Sequence, residues 1–248
     1  MWGGQWDVRR FAEIDSTNTY LRDQAREGAP DGTVAVADHQ TAGRGRLDRT
    51  WEAPADASLL MSVLFRPTLD PADLHLCTAA VALAAAAACQ EVAGIEPEVK
   101  WPNDLLVGEG KLAGVLAEAD ISQQKVRSVV IGIGINVSWP GPNGVGGTCL
   151  DDLRPDAPAV DRTHLLEAVL SALSPRCLLL ESPDGRRALA DELRRRCATL
   201  GRQVRVELAT GSVHGLATNI DNAGHLILET AEGPRTIAAG DVVHLRPD

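Results

Sequence analysis

Residues 74–92 restrict the fold more than any other segment of the chain. They form its most apolar stretch, consist mainly of alanine, and carry polar residues only near their two ends. The stretch is too weakly hydrophobic to span a bilayer, so we predict no membrane segment. A helix that is apolar on every side has to be buried, and we predict that the rest of the domain encloses it. Pro71 is expected to open this helix and Gly94 to end it.

Short strands and helices surround this central helix in the first 199 residues. Ser16 stands where an N-cap would, ahead of a helix over residues 17–27 that Gly28 closes. Two further helices are expected near residues 163–180 and 184–198. Strands are predicted at residues 8–14, 33–37, 58–65, 98–101, 111–119 and 126–135. The fold class is therefore α/β (α+β).

The pattern changes at Gly201. Five short alternating segments follow, at residues 204–208, 213–220, 225–228, 235–239 and 242–245, and turn residues separate them. This pattern predicts a small all-β barrel. We therefore divide the chain into residues 1–199 and residues 200–248.

Charge and cysteine content exclude several classes of function. The formal net charge of -10 disfavours binding to the phosphate backbone of nucleic acid, which needs a basic surface. The five cysteines are odd in number and form no C-x-x-C pair, so we expect reduced thiols, no zinc site and a cytoplasmic location. The first ten residues contain no apolar core of a signal peptide.

The strongest local motif runs from Gln40 to Arg46 and reads Gln-Thr-Ala-Gly-Arg-Gly-Arg, within a polar loop over residues 39–57. Glycines let the backbone approach a ligand, and arginines give bidentate contacts to phosphate or carboxylate. The residues predict an anion site, although an ordinary solvated loop has the same composition. Walker and dinucleotide-binding glycine patterns are both absent, which argues against a P-loop ATPase and a nicotinamide dehydrogenase.

A second motif, Lys100-Trp101-Pro102-Asn103-Asp104, precedes Lys111-Leu112-Ala113-Gly114 by a short interval. Proline and the Asn-Asp pair predict a turn at a sheet edge. A hairpin through residues 108–110 would bring Asp104 close to Lys111. An ordinary surface hairpin with an ion pair is the alternative.

Two weaker motifs complete the set. Ser16-Thr17-Asn18 suits a helix N-cap and needs no further role. Gly132-Ile133-Gly134-Ile135-Asn136 is an apolar strand that ends in an amide, and its glycines predict a close approach of another group.

Together and in this order, the four motifs resemble the biotin–protein ligases, specifically the short class without an N-terminal DNA-binding domain. The resemblance extends from about Phe11 to Arg246. It implies a catalytic domain related to class II aminoacyl-tRNA synthetases over residues 1–199, followed by an SH3-like barrel over residues 200–248. The implied activity is that of a carbon–nitrogen ligase that uses ATP and Mg²⁺.

The resemblance also implies roles for individual residues. Biotin is expected to contact Ser16, Thr17, Asn18, Gln40, Arg44, Gly45, Arg46 and Lys111. ATP is expected to contact Arg46, Arg49, Trp51, Asn136 and Lys111. The catalytic set is Lys111, Arg44 and Arg46. Supporting or metal-binding roles are considered for Lys100, Asn103, Asp104 and Glu118, although no metal site is predicted.

One residue departs from the family pattern. The family usually has glycine where this chain has Asp48. Aspartate tolerates turn conformations, so we expect the loop to survive the change. Its carboxylate is expected either to weaken ATP binding or to pair with Arg46 or Arg49. We also expect the loop to be disordered before ligands arrive.

The implied reaction joins the carboxylate of biotin to the α-phosphate of ATP and then passes biotin to a lysine of a carrier protein. The implied acceptor is the biotin carboxyl carrier domain of an acyl-CoA carboxylase. A lipoate or octanoate ligase or transferase of the same fold is one alternative. A biotin-responsive transcriptional regulator is another, although only about fifteen residues precede Ser16 and the acidic charge disfavours DNA.

Overall fold

A seven-stranded mixed sheet organises the first part of the chain in the computed structural model, which describes residues 4–208 and 210–245. Its strands lie in the order β1-β2-β3-β7-β6-β5-β4, with β1 and β2 parallel and the other neighbours antiparallel. In chain order they are β1 (Asp7–Ile14), β2 (Thr33–Gln40), β3 (Ser58–Phe65), β4 (Glu98–Lys100), β5 (Asp104–Val107), β6 (Gly110–Ser122) and β7 (Lys125–Asn136).

The alanine-rich helix lies at the centre of the core, as predicted. It is α2 (His75–Ala93), and most of its residues are fully buried. It ends at Gly94, whose φ of 69° is left-handed. The prediction that Pro71 opens the helix is wrong in detail, because Pro71 begins a separate 3-10 turn, Pro71–Asp73, and α2 itself starts at His75.

The other helices are α1 (Thr17–Arg26), α3 (Arg162–Leu180) and α4 (Pro183–Arg196). Helices α2 and α3 are long and apolar enough to cross a membrane by length and composition alone, but they pack against each other in the core. Burial within the protein therefore explains the hydrophobic character of α2 and of the face of α3 that packs on it.

The two faces of the large sheet pack against different helices, α2 on one face and α1 on the other. Ile131, Ile133 and Ile135 of β7 join the large core around α2, whereas Val130 packs with Leu21 of α1 on the opposite face. Successive residues of a strand point to opposite faces. The glycines that alternate with these isoleucines therefore lie on the α1 face, where they leave room above the sheet.

The C-terminal residues form the predicted antiparallel β module. Its strands are β8 (Gln203–Leu208), β9 (Gly211–Ile220), β10 (Leu226–Thr230), β11 (Gly233–Ile237) and β12 (Asp241–His244), in the order β11-β10-β9-β8-β12.

Trp101 attaches this module to the large sheet. The side chain is 1% exposed, its Nε1 donates to the Gly224 carbonyl at 2.9 Å, and its ring stacks on His75 with centroids 5.8 Å apart. Val204 and Val206 of β8 belong to the same core cluster as α2. The module therefore packs against the large sheet, and β12 borders the face that α1 also covers.

Candidate active site

A cavity of about 950 Å³ opens on the α1 face of the large sheet. Its walls are α1, the loop between β2 and β3, strands β6 and β7, the segment after β7, and β12. Every biotin-binding, ATP-binding and catalytic residue expected from the sequence lines it: Ser16, Thr17, Asn18, Gln40, Arg44, Gly45, Arg46, Arg49, Trp51, Lys111 and Asn136. The fold thus brings four separate motifs into one space.

Buried polar side chains form one end of the cavity. Gln40 Oε1 accepts from the Thr17 backbone N–H at 2.8 Å and from Thr17 Oγ1 at 3.0 Å, and Thr17 Oγ1 lies 2.7 Å from Ser62 Oγ. Ser62 in turn donates to Asn18 Oδ1 at 2.6 Å. Within residues 4–208 and 210–245, Gln40 Nε2 has no acceptor, so its two hydrogens remain available to a ligand.

Two glycines make this arrangement possible. A Cβ atom at Gly132 would lie 2.2 Å from Asn18 Oδ1. One at Gly43 would lie 2.2 Å from the Trp51 carbonyl oxygen. The expectation that the strand glycine marks a close approach is therefore confirmed at Gly132.

Ser16 acts as the predicted N-cap of α1. Its Oγ accepts from the Thr19 N–H at 3.5 Å, and the side chain is 2% exposed. Its hydroxyl hydrogen is not used in this bond, so capping is compatible with donation to a ligand.

The arginine loop, residues 41–57, turns back on itself through Leu47 and Asp48. Both have positive φ, 54° and 57°, and Arg44 pairs with Thr50 as an isolated bridge. Two consecutive positive φ values are the geometry of a type I′ turn, in which glycine is favoured and aspartate is tolerated. Asp48 is exposed. The expected pairing of Asp48 with Arg46 or Arg49 is wrong, because those two arginines have other partners.

Arg46 and Arg49 are held by groups outside the loop. Arg46 donates to Asn103 Oδ1 and to the Gly240 carbonyl, each at 2.9 Å. Arg49 pairs with Asp241 Oδ2 at 2.6 Å. Burial lowers the pKa of Arg46 from its ordinary value, and the carboxylate of Asp241 acts in the opposite direction. The β module therefore contributes directly to the wall of the cavity.

Lys111 and Trp51 occupy the middle of the cavity. Lys111 Nζ lies 2.8 Å from Asp104 Oδ1, as the expected hairpin requires, and 5.7 Å from the centre of the Trp51 ring. The ring lies over the strands, since a Cβ at Gly134 would come within 2.4 Å of it and one at Gly114 within 2.9 Å. Among the described residues, the buried Trp51 Nε1 has no hydrogen-bond partner.

Asn136 marks the far end of β7. The side chain is 4% exposed, and Nδ2 lies within bonding distance of the carbonyls of Lys111 (3.3 Å), Pro140 (3.3 Å) and Thr148 (3.0 Å). These bonds fix the segment after β7 against β6. A ligand would find only Oδ1 of this amide free to accept a hydrogen bond.

Comparison with known proteins places the chain in a family. The profile described as the biotin/lipoate A/B protein ligase family matches residues 11–136, just over half of the chain. The chain belongs to this family. A second profile, described as the biotin protein ligase C terminal domain, matches residues 199–245. Both matches agree with the resemblance seen in the motifs.

Individual ligases of the family align with nearly the whole chain. A biotin–[acetyl-CoA-carboxylase] ligase of Mycobacterium tuberculosis is 40% identical over 98% of this chain and 90% of its own length. The bifunctional ligase/repressor BirA of Bacillus subtilis is 33% identical over 92% of this chain and 71% of its own length. The structure of a biotin protein ligase from Aquifex aeolicus with biotin and ATP superposes with a TM-score of 0.79, at 28% identity over 97% and 99% of the two chains.

Two acidic residues expected at this ligase-family site, Glu118 and Asp104, are paired with cations. Glu118 binds Arg22 and Arg44, and Asp104 binds Lys111. Within residues 4–208 and 210–245, no group of three or more histidine, cysteine, aspartate or glutamate side chains is arranged to hold a metal ion. Glu118 and Asp104 thus hold two cations of the site, Arg44 and Lys111, by ion pairs.

Sequence reasoning missed several residues of the ligase-family site. Ser62 is a polar residue in the fully buried strand β3. A serine within such an apolar run needs a hydrogen-bond partner, and this could have indicated its place in the polar network. Gly240 and Asp241 lie in the β module, and nothing in the local sequence connects them with a loop almost 200 residues earlier. Arg22 belongs to no motif.

Proposed function

We propose that the chain joins biotin to ATP as biotinyl-5′-AMP and then transfers biotin to a specific lysine of a biotin carboxyl carrier domain of an acyl-CoA carboxylase. The observation that carries this proposal is the convergence of all the expected biotin and ATP residues on one cavity. Its volume of about 950 Å³ lies at the upper end for ligand sites, which suits two substrates bound side by side.

The polar end of the cavity suits the ring system of biotin. A neutral urea presents both donors and an acceptor, and Ser16, Thr17 and the Gln40 amide supply both in return. Lipoate and octanoate would offer no acceptor to Gln40 Nε2 or to the hydroxyl hydrogen of the buried Ser16, which is costly. Biotin is therefore favoured over the acids of the alternative ligases.

The cations explain how two anions react. Arg44, Arg46 and Lys111 all line the cavity, and they offset the repulsion between the carboxylate of biotin and the phosphates of ATP. A carboxylate oxygen attacks the α-phosphorus, and the bond to pyrophosphate breaks. In the second step the lysine amine of the acceptor attacks the acyl carbon, loses a proton, and AMP departs. No nucleophile of the enzyme is required.

We place the nucleotide between Trp51, Arg49 and Asn136. Trp51 offers an aromatic face, and Asn136 Oδ1 can accept from the amino group of adenine. Mg²⁺ enters as part of the Mg-ATP substrate. The catalytic unit is assigned to residues 1–199 and the β module to residues 200–248. All five cysteines are free and buried, which suits a cytoplasmic location.

The test is incubation with labelled biotin, Mg-ATP and a purified carrier domain, followed by mass measurement of that domain. We expect one biotin on one lysine, and none when lipoate replaces biotin. Incorporation of lipoate in preference to biotin would overturn the assignment. A gel shift at low salt tests the regulator alternative, for which we expect no retarded DNA.

A further inference from the structure

Glu118 is the point at which α1, β6 and the arginine loop meet. Its Oε1 lies 2.8 Å from Arg22 Nη1 and 2.9 Å from Arg44 Nη1. Its Oε2 accepts from Asn18 Nδ2 at 2.9 Å. The side chain is 17% exposed. One carboxylate thus holds a residue of the polar end of the cavity, a cation of the arginine loop, and a second arginine from outside the motifs.

The charges of this cluster do not cancel. Arg44 paired with Glu118 alone would form a neutral pair, and its attraction for an anionic ligand would be weakened. With Arg22 present, two guanidinium groups share one carboxylate, and one positive charge remains. Since Arg22 does not line the cavity, that charge is available on the side of Arg44.

We infer that Arg22 is a positioning residue: it neutralises Glu118, so that Glu118 holds Arg44 in place while Arg44 keeps its charge for the carboxylate of the acid substrate. This inference rests on the proposed function and assigns a role to a helix residue that no motif contains. Glu118 sets the place of Arg44 by hydrogen bonding, and Arg22 sets the charge that Arg44 presents.

An ordinary surface ion pair lies one turn away on the same helix. Arg26 Nη1 is 2.7 Å from Asp23 Oδ1, and both side chains are more than half exposed. This pair is local and does not touch the cavity. Arg26 therefore supplies a matched control of the same residue type on the same helix.

The experiment measures KM for biotin and kcat by ATP–pyrophosphate exchange in Arg22→Gln, Arg22→Lys and Arg26→Gln. We expect Arg22→Gln to raise the KM for biotin about fivefold with kcat within about twofold, because Glu118 then neutralises Arg44. Arg22→Lys keeps the charge and is expected to stay within about twofold of the wild type, as is Arg26→Gln.

The double variant Arg22→Gln/Glu118→Gln separates charge from position. This variant removes the charges of Arg22 and Glu118, so the positive charge of Arg44 is no longer neutralised. The KM for biotin is therefore expected to return to within about twofold of the wild type. A neutral amide holds Arg44 less firmly, and kcat is expected to fall about fivefold. A double variant with a KM as high as Arg22→Gln, or an Arg22→Lys variant equally impaired, would overturn the inference.

Trypsin cleavage after Arg44 supplies a readout that needs no substrate. Glu118→Ala removes the anchor and is expected to be cut about fivefold faster than the wild type, whereas Arg22→Gln is not. Equal rates for wild type and Glu118→Ala would overturn the positioning role of Glu118. A wild type that shows no biotin-dependent exchange but follows these cleavage rates would contradict the proposed function alone.

Discussion

Replacing Gly134 with alanine is expected to impair ligand binding much more than folding. The new Cβ would lie 2.4 Å from Trp51 Cε2, against 3.4–4 Å for an ordinary contact, so the indole has to move by about 1 Å. The ring is half-buried and borders the cavity, so it can move into the cavity. We expect a cost of about 1 kcal/mol, at the low end for overpacking, and a Tm lowered by about 2–4 °C.

The displaced ring then occupies space that we assign to substrates. We expect the KM for ATP in pyrophosphate exchange to rise about tenfold, which corresponds to about 1.4 kcal/mol of binding. Initial rates over a range of ATP concentrations, with a urea unfolding curve on the same preparation, measure both effects. An unchanged KM would refute the placement of Trp51 beside the nucleotide.

Gly132→Ala is the matched control, two residues away on the same face of β7. Its Cβ would lie 2.2 Å from Asn18 Oδ1, and Asn18 is held by Ser62 and Glu118 with 3% of its surface exposed. Because Asn18 can move only by breaking its hydrogen bonds to Ser62 and Glu118, we expect a loss of about 3 kcal/mol in unfolding free energy. Equal stability of the two alanine variants would contradict this reasoning.

Three further predictions concern other parts of the site. Lys111→Ala is expected to abolish nearly all pyrophosphate exchange. Its Tm should stay within about 3 °C of the wild type, since the ion pair with Asp104 is partly exposed. Exchange at the wild-type rate would show that Lys111 has no catalytic role. Burial lowers the pKa of His244 to about 4, below the ordinary 6.5, so the unfolded chain takes up a proton first. Stability present above pH 6.5 is therefore lost as the pH falls towards 4, and His244→Gln should flatten the urea midpoints over that range; an unchanged slope would exclude His244 as the cause. Asp48→Gly should keep the KM for ATP within about twofold, because the carboxylate is exposed. Asp48→Val should raise this KM severalfold, because a β-branched residue avoids positive φ. Equal KM values for the two variants would contradict the turn geometry.

Features that depend on neighbouring residues could be predicted from the sequence. Ser16 caps α1 and Gly94 ends α2 because capping uses groups within one turn of the helix. Gly132, within a buried strand, indicated that another group approaches the backbone closely, and the side chain of Asn18 is that group.

Strand ends that carry polar residues were harder to predict. Strand β2 was expected to stop at Ala37, but it continues to Gln40, which pairs with Ile14 of β1. Asp104 was expected in a turn, and it begins strand β5 instead. Pairing with a neighbouring strand stabilises these residues, and the local sequence contains no record of that partner.

Contacts between distant segments were beyond sequence reasoning. Asp241 reaches Arg49 only because the β module packs against Trp101. Arg22 meets Glu118 only because α1 packs on β2, β3 and β7, and β6 lies beside β7 in the sheet. The motifs predicted which residues line the cavity. The topology decides which of them touch, and which residues outside the motifs hold them.

In the proposed function, a single cavity brings two mutually repelling acids together beside Arg44, Arg46 and Lys111. A crystal structure with biotin and a non-hydrolysable ATP analogue tests it directly. We predict density for the biotin carboxylate and the α-phosphate within contact of these three side chains, with the biotin rings against Thr17 and Gln40. Either ligand bound in another part of the molecule would contradict the account.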